Sequence, residues 1–202
     1  MNKIQHIIFD LGQVLIQVTF AEFLKKFAAE FRIDMSQMTG NRDNGAHIDF
    51  MVGKISPQEF HRQLCSHFNH FITIDNLRQL WLNMLGDEIS ESRLIIDKLH
   101  KKKYPLALLS NVDPWHFEYC QNNLPVLNRF SHIFLSYQLK MKKPDLEIYQ
   151  TVADKLQSQA QHCLFIDDMV ENIEAAKEMG FEVIHFVDAE QLEKDLRAKN
   201  IL

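Results

Sequence analysis

The sequence predicts an α/β protein with a doubly wound parallel sheet and an α-helical cap inserted after the first strand. Three observations predict this fold class. Short, nearly continuous apolar runs are typical of strands that are covered on both faces of a parallel sheet. Helical patterns separate these runs, and the alternation of strand and helix indicates a doubly wound core. Between the first two strands, a long stretch contains helical patterns alone.

The strands of the predicted core are short apolar runs spread along the chain. They are IQHIIF at 4–9, PLALL at 105–109, HIFLS at 132–136, CLFI at 163–166 and EVIHF at 182–186. The last run follows Gly180, a residue type that commonly ends a helix. Apolar helical faces lie between the strands, formed by Ile95, Ile96 and Leu99, by Ile148, Val152 and Leu156, and by Met169, Ile173 and Ala176.

The sequence pattern predicts only helices over residues 19–88. Thr19 to Glu22 and Ser56 to Glu59 each have the pattern of a capping box, and the second box is followed by Pro at the first helical position. A third apolar face, from Leu77 to Leu85, ends at Gly86.

A helical insertion of this length is too long to be a loop. We therefore expect residues 1–18 and 89–202 to form the α/β core domain and residues 19–88 to form a helical cap domain. The cap should lie over the carboxyl edge of the sheet, where open α/β sheets bind their ligands.

The composition excludes several classes of protein. The 202 residues are 46% hydrophobic and carry a formal net charge of −5, without the basic excess expected of a nucleic-acid-binding protein. No apolar run reaches the roughly 18 residues that a membrane span requires, and the N-terminus does not resemble a signal peptide. Cys65, Cys120 and Cys163 are widely spaced and fit reduced thiols. We expect a cytoplasmic protein with no nucleic-acid and no membrane partner.

Polar side chains follow four of the predicted strands in turn. Asp10 follows the first strand, Ser110 and Asn111 follow the second, Lys143 lies after the third, and Asp167 and Asp168 follow the fourth. The carboxyl ends of parallel strands meet at one crevice, so these groups should lie together. Carboxylate oxygens would bind a divalent cation and a lysine would neutralise a phosphate. Asp10 could also attack phosphorus as a nucleophile.

Each of these residues has a structural explanation when it is taken alone. An Asp at a strand end often forms a turn, and Ser and Asn are common in loops. Asp168 and Glu171 fit a capping box. Lys143 could be an ordinary solvated lysine. These explanations do not account for the ordered occurrence of all four sites, each after its own strand.

The motifs resemble those of the haloacid dehalogenase-like superfamily along nearly the whole chain. FDLGQVL resembles its first motif, LLSNVD its second, MKKPDLEIY its lysine motif and FIDDMVENIEAAKEMGF its acidic fourth motif. The helical insertion resembles its cap, and FMVGKISPQEF a recurrent cap segment. Within the superfamily the chain is similar to small bacterial glucose-1-phosphate and sugar-phosphate phosphatases. The resemblance implies a Rossmann-like core and a magnesium-dependent phosphatase of small phosphorylated metabolites, such as sugar phosphates and sugar 1-phosphates.

The resemblance also implies roles for individual residues. Asp10 would be the nucleophile that forms an aspartyl-phosphate, and also a ligand of Mg²⁺. Ser110 and Lys143 would hold the phosphoryl oxygens, and Asn111 would orient the substrate.

The acidic motif would complete the magnesium site. Asp168 would bind the metal directly and Asp167 would hold metal-bound water, while Asn172 would support this loop. The backbone carbonyl of Gly12 would be a further metal ligand.

Gly12 is also a departure from the family pattern. Most phosphatases of this superfamily have a second Asp at this position, which protonates the departing alcohol, and such catalysis is worth roughly 10²–10⁴-fold. Its absence predicts a preference for acidic leaving groups. His116, six residues after Ser110, could face the crevice, contact the substrate and partly replace the acid, because imidazole titrates near neutral pH. The alternative is a surface or helix-capping histidine.

Two alternatives to a phosphatase remain at this point. A dehalogenase of the same fold would attack carbon and need no metal, but the chain lacks the Tyr-Gly pair of those enzymes and has the Asp167–Asp168 pair that they do not need. A non-catalytic binding protein of the same fold would account for Gly12. It would not account for the presence of Asp10, Ser110, Lys143 and Asp168.

The cap should select the substrate. Its polar positions include His47, Arg42 and Asp43, whereas His61, His67 and His70 fit surface histidines on helices better than a metal site.

Overall fold

The computed structural model describes residues 4–33 and 45–202. Arg42 and Asp43 lie outside these residues. In chain order the strands are β1 (His6–Phe9), β2 (Ile16–Val18), β3 (Leu85–Glu88), β4 (Leu106–Ser110), β5 (His132–Leu135), β6 (Cys163–Asp167) and β7 (Glu182–His185). The helices are α1 (Phe20–Phe31), α2 (Ala46–Met51), α3 (Pro57–His67), α4 (Ile74–Leu82), α5 (Ser90–Lys101), α6 (Pro114–Asn123), α7 (Ser136–Leu139), α8 (Leu146–Lys155), α9 (Val170–Glu178) and α10 (Ala189–Ala198).

Five parallel strands form the central sheet, in the order β5-β4-β1-β6-β7. β1 lies in the middle, with Ile8 opposite Ala107 of β4 on one side and Phe165 of β6 on the other. All five predicted strands are confirmed, and the prediction of a parallel α/β core with helices around its sheet is confirmed with them.

Both faces of the sheet are buried, which explains why its strands read as continuous apolar runs. Ile7 and Phe9 pack on one face in a cluster that includes residues of α5 and α10. Ile8 packs on the other face against residues of α8 and α9. Successive side chains of a strand point to opposite faces, so β1 needs apolar residues at every position.

Helices α1 to α4 surround an aromatic cluster of their own. Phe50 and Phe60 stack at 4.5 Å between ring centroids, and Trp81 packs edge-on to Phe60 at 4.8 Å. Trp115 of the core helix α6 enters the same cluster at 5.1 Å from Phe50. Ser56 accepts a hydrogen bond from the Glu59 backbone N–H at 3.1 Å, so the predicted cap of α3 forms. Helices α1 to α4, which we call the cap helices, thus share an apolar contact with the core helix α6. The division into a core domain of residues 1–18 and 89–202 and a cap domain of residues 19–88 stays a prediction.

Two predictions within residues 19–88 are wrong. Residues 85–88 form an antiparallel strand with β2 instead of the end of a helix, and α4 ends at Leu82. Thr19 caps no backbone N–H with its side chain, because its hydroxyl donates to the Met84 carbonyl at 3.4 Å. Both differences come from contacts between segments about 65 residues apart, which local periodicity does not report.

Membrane-spanning helices are absent from the described part of the chain, where no helix is both long and apolar enough to cross a bilayer.

Candidate active site

Three neighbouring strands bring the predicted acidic and hydroxyl residues to one edge of the sheet. Asp10 follows β1, Ser110 ends β4, and Asp167 ends β6. The backbone N–H of Asp10 donates to the Ile166 carbonyl at 2.9 Å, which extends the β1–β6 pairing as far as the acid. Asp10 therefore follows a buried strand because the carboxyl end of that strand lies at the crevice, where the acid is needed.

Lys143 connects the two strand-end carboxylates. Its ammonium donates to Asp10 Oδ1 at 2.6 Å, to Asp167 Oδ2 at 2.6 Å and to the Leu109 carbonyl at 3.0 Å. All three of its protons thus have partners. Lys143 is 3% exposed and Asp167 is fully buried, so this lysine is not a solvated surface residue. A buried charge of this kind is stable only when it is paired.

Burial and mutual repulsion of the carboxylates shift their proton affinities. Burial, with a smaller contribution from negative Asp167, outweighs the opposing effect of Lys143 and raises the pKa of Asp10 to about 7. Burial, followed by negative Asp167, also raises the pKa of Asp168. Burial alone would lower the pKa of Lys143, but the two carboxylates outweigh it and raise that pKa. Carboxylates are therefore held close together at the strand ends, and a bound cation would reduce their mutual repulsion.

Asp10, Asp167 and Asp168 fit a divalent cation. One carboxylate oxygen of each residue lies within 4.8 Å of the others, and this is a cluster of hard oxygen ligands such as Mg²⁺ prefers. When all are ionised, three carboxylates and one ammonium leave a formal charge of −2, which a divalent cation balances. The predicted contribution of the Gly12 carbonyl stays a prediction.

The acidic loop after β6 is held by Asp167 rather than by Asp168. Asp167 Oδ1 accepts hydrogen bonds from the Met169 backbone N–H at 2.8 Å and from the Asn172 side-chain amide at 2.9 Å. The Tyr149 hydroxyl donates to the Asn172 carbonyl at 2.9 Å. Helix α9 has Met169 as its N-cap residue, so Asp168 does not have the capping role that its spacing from Glu171 suggested.

The side-chain amide of Asn111 makes two hydrogen bonds to the backbone of Lys143. Its amide NH₂ donates to the Lys143 carbonyl at 2.8 Å, and its amide oxygen accepts from the Lys143 N–H at 2.9 Å. This pair of bonds places the lysine segment beside the end of β4. The predicted contact of Asn111 with substrate stays a prediction.

Gly12 lies in a tight turn between β1 and β2. The backbone N–H groups of Leu15 and Ile16 both donate to the Leu11 carbonyl, at 2.8 and 3.2 Å. Gln13 has a left-handed φ of 56°, and its side-chain amide bonds both backbone groups of Val18, at 3.1 and 3.3 Å. The turn carries β2 away from the sheet to pair with β3.

His116 joins the cap to the core. Nδ1 lies 2.6 Å from Asp113 Oδ2, and Nε2 lies 3.0 Å from the Trp81 carbonyl. A carbonyl only accepts, and Asp113 also accepts from the Trp81 indole N–H at 2.9 Å. Both ring nitrogens therefore donate, and His116 is an imidazolium. Burial lowers its pKa, but the Asp113 charge outweighs burial and raises it.

We call Trp81, Asp113 and His116 the cap latch. The sequence pattern predicted that His116 contacts the substrate, but it did not indicate that His116 bonds Asp113 and Trp81. The one local signal was Asp113 before Pro114, the pattern of a helix start, and Asp113 does cap α6 by accepting from the Trp115 and His116 N–H groups. The predicted substrate contact of His116 stays a prediction, although both ring nitrogens have protein partners.

A cavity of about 240 Å³ lies between cap and core beside these groups. Gly12, Ser110 and Asn111 line it on the core side, and the cap latch lines another part. Most of the remaining wall is apolar and includes Leu11, Ile16, Val18, Met84 and Leu85. A molecule in this cavity would have one end at the strand-end carboxylates.

The amino-acid sequence was compared with known protein families and proteins. The sequence profile of the haloacid dehalogenase-like hydrolases matches residues 7–186. A D-ribitol-5-phosphate phosphatase of Bacteroides thetaiotaomicron is 28% identical over 89% of this chain and 90% of its own length. A sesquiterpene phosphatase of Aspergillus oryzae is 23% identical, over 90% of this chain and 89% of its own length.

A solved structure has the same fold and carries ligands. It is a haloacid dehalogenase family enzyme of Bacteroides thetaiotaomicron in complex with magnesium and inorganic phosphate. It superimposes with a TM-score of 0.82 at 26% identity, covering 92% of this chain and 95% of that one.

Proposed function

Because the chain belongs to the haloacid dehalogenase-like hydrolases, we propose that it is a magnesium-dependent phosphatase of small phosphate monoesters. The observation that carries this proposal is the buried network in which Lys143 joins Asp10 and Asp167, with Asp168 beside them. Two relatives are named as phosphatases, and a solved relative binds magnesium and phosphate, which supports the same conclusion.

Asp10 performs the covalent step in this proposal. One carboxylate oxygen attacks phosphorus, and the bond to the leaving oxygen breaks with its electron pair staying on that oxygen. Water then attacks the aspartyl-phosphate, which releases phosphate and regenerates Asp10. Mg²⁺, held by Asp10, Asp167, Asp168 and the Gly12 carbonyl, would supply charge neutralisation for the phosphoryl oxygens.

Lys143 and Ser110 act on the transferred group. The ammonium already bridges two carboxylates in the crevice, so it adds positive charge where the phosphoryl oxygens would lie. The Ser110 hydroxyl, at the end of β4, would donate to one of those oxygens. Asn111 and Asn172 position Lys143 and Asp167 through the hydrogen bonds described above.

Substitution of Asp10 tests the proposal. We expect Asp10→Asn to abolish magnesium-dependent hydrolysis of an activated aryl phosphate, because the amide has the same shape but is a poor nucleophile. Asp154→Asn is the matched control, since Asp154 is exposed on α8 and should leave the rate unchanged. More than a few per cent of activity in Asp10→Asn would remove Asp10 from the nucleophile role.

The same assay separates the alternatives. A dehalogenase would release halide from a 2-haloacid without metal, and a non-catalytic binding protein would turn over neither substrate. Hydrolysis of the aryl phosphate that stops on chelation of magnesium would exclude both.

The identity of the leaving group is a finer hypothesis. Sugar phosphates, and sugar 1-phosphates among them, are the class suggested by the sequence, and the ribitol-phosphate relative supports it. The anomeric hydroxyl of a sugar 1-phosphate is a more acidic leaving group than an ordinary alcohol, which suits a site with Gly12 in place of an acid. A panel of sugar phosphates with magnesium present tests this class.

A further inference from the structure

The peptide group that joins Asp168 to Met169 is hydrogen-bonded at both of its ends. Its N–H, which belongs to Met169, donates to Asp167 Oδ1 at 2.8 Å. Its carbonyl, which belongs to Asp168, accepts from Nε2 of His185 at 2.9 Å. Because a peptide group is planar, two bonds at opposite ends fix the orientation of the whole plane.

The peptide group on the other side of Asp168 is held by the sheet. β6 pairs with β7 as far as Asp167, which lies opposite His185. The Phe186 backbone N–H donates to the Asp167 carbonyl at 2.8 Å. This bond is made by the backbone and does not depend on the side chains of β7. Asp168 lies one residue further along, so the peptide group after it depends on side chains.

The imidazole of His185 is suited to this contact. His185 is the last residue of β7, and its side chain reaches the residue that follows the paired end of β6. A carbonyl oxygen only accepts, so Nε2 carries the proton in this hydrogen bond. The His185 side chain is exposed, so packing in the core does not explain a histidine at this position.

The two fixed peptide groups determine where the Asp168 carboxylate lies. With both planes held, the backbone dihedral angles of Asp168 are set, and the Cα–Cβ bond has one direction. In this arrangement one carboxylate oxygen lies within 4.8 Å of oxygens of Asp10 and Asp167. Rotation of the second plane would turn the carboxylate relative to the other two.

We propose that His185 is a positioning residue of the magnesium site, which holds the Asp168 carboxylate beside those of Asp10 and Asp167. This inference rests on the proposed phosphatase function. The imidazole acts through the Asp168 backbone rather than by contact with metal or substrate. Groups behind the metal ligands commonly orient them, and metal affinity falls when such groups are lost.

Calorimetric titration with magnesium, in the absence of substrate, tests this role. His185→Phe keeps an aromatic ring but removes the donor, and it should weaken magnesium binding roughly 3- to 10-fold, the effect of one hydrogen bond. His185→Gln keeps an N–H donor at a similar reach and should stay within about twofold of the natural protein. An unchanged affinity in His185→Phe, or equal losses in both variants, would overturn the proposal.

His132→Phe is the matched control. His132 is also exposed and also belongs to the central sheet, but it begins β5 and therefore lies at the edge opposite to the strand-end carboxylates. The substitution should leave magnesium affinity unchanged. A loss as large as that of His185→Phe would show that the contact with Asp168 is not the cause and would overturn the proposal.

A double-mutant cycle tests whether His185 acts through Asp168. In an Asp168→Asn background, His185→Phe should weaken magnesium binding by less than about twofold further, because the carboxylate that it positions is gone. Titration of the initial rate with magnesium extends the measurement to weakly binding variants. Losses that multiply in the double variant would show that His185 acts elsewhere and would overturn the proposal.

The natural protein distinguishes failure of this inference from failure of the proposed function. If it does not hydrolyse an activated aryl phosphate with magnesium, the phosphatase function fails, and the inference fails with it. If it does so while His185→Phe binds magnesium as tightly as the natural protein, the phosphatase function stands and the positioning role of His185 is overturned.

Discussion

At the scale of single residues, Asp168 is the most exposed of the three clustered carboxylates. Asp10 and Asp167 bond Lys143, whereas Asp168 offers its carboxylate without that ammonium. A divalent cation would thus interact with Asp168 with the least competition from the protein. Its contribution to metal binding should be separable from the integrity of the site.

We therefore predict that Asp168→Asn weakens magnesium binding roughly 10- to 100-fold. Activity should recover in part when magnesium is raised, because the nucleophile and Lys143 stay in place. Titration of the initial rate with magnesium measures the effect, and Glu171→Gln, in the first turn of α9, is the control. An unchanged apparent metal affinity would remove Asp168 from the metal site.

Gly12 offers a second prediction at this scale. A Cβ atom there would meet only Val18 Cγ2, at 3.3 Å, so a side chain is tolerated with a small shift of a flexible neighbour. Gly12→Asp should raise kcat/KM for primary alkyl phosphates by up to roughly 10²–10⁴-fold and change aryl phosphates little. Gly12→Asn has the same shape without the acid and should give no gain. A flat dependence on leaving-group pKa in the natural protein would contradict this account.

At the scale of elements, the cap latch joins α4 to α6 through buried, charge-assisted hydrogen bonds. The charges of Asp113 and His116 depend on each other: Asp113 keeps His116 protonated, and His116 with Trp81 outweighs burial to lower the pKa of Asp113. Breaking a buried pair on one side costs about 3–5 kcal/mol. The latch therefore fixes the position of the cap wall relative to the strand ends.

The latch predicts a pH dependence of stability with a definite sign. His116 has a raised pKa, so its contribution is fully present below about pH 6.5 and is lost as the pH rises through the higher folded value. Asp113 has a lowered pKa, so its contribution is present above about pH 3.8 and is lost as the pH falls through the lower folded value.

His116→Gln tests this assignment. We expect a loss of about 3 kcal/mol in the free energy of unfolding at neutral pH, and a flatter decline of stability above neutrality than in the natural protein. Urea unfolding between pH 5 and 9 measures both, and His100→Gln, on exposed α5 surface, is the control. The same variant tests the substrate-contact hypothesis: a changed pH profile of kcat, with the cap in place, would support proton donation by His116.

At the scale of the whole molecule, the parallel core was predictable because burial on both faces leaves a strong signal. Continuous apolar runs located every core strand, and the acids that interrupt them, such as Asp10, marked the edge of the sheet. The β2–β3 pair was not predictable, because Leu85–Glu88 has an ordinary composition and is a strand only by pairing with Ile16–Val18. The cap latch was missed for the same reason, since Trp81 and His116 meet only in the folded chain.

The central position of β1 has a consequence for the folding kinetics. Asp10 lies at the end of β1, which pairs with β4 and with β6 through contacts between residues roughly 100 and 160 positions apart. Such distant contacts are slow to form, whereas the cap helices depend on neighbours in sequence. Helical circular dichroism should therefore recover first on dilution from urea, and magnesium-dependent activity in the slowest phase, together with the fluorescence of Trp81 and Trp115 at the cap–core contact. Activity that returned before this fluorescence would mean that the strand-end site assembles without the cap.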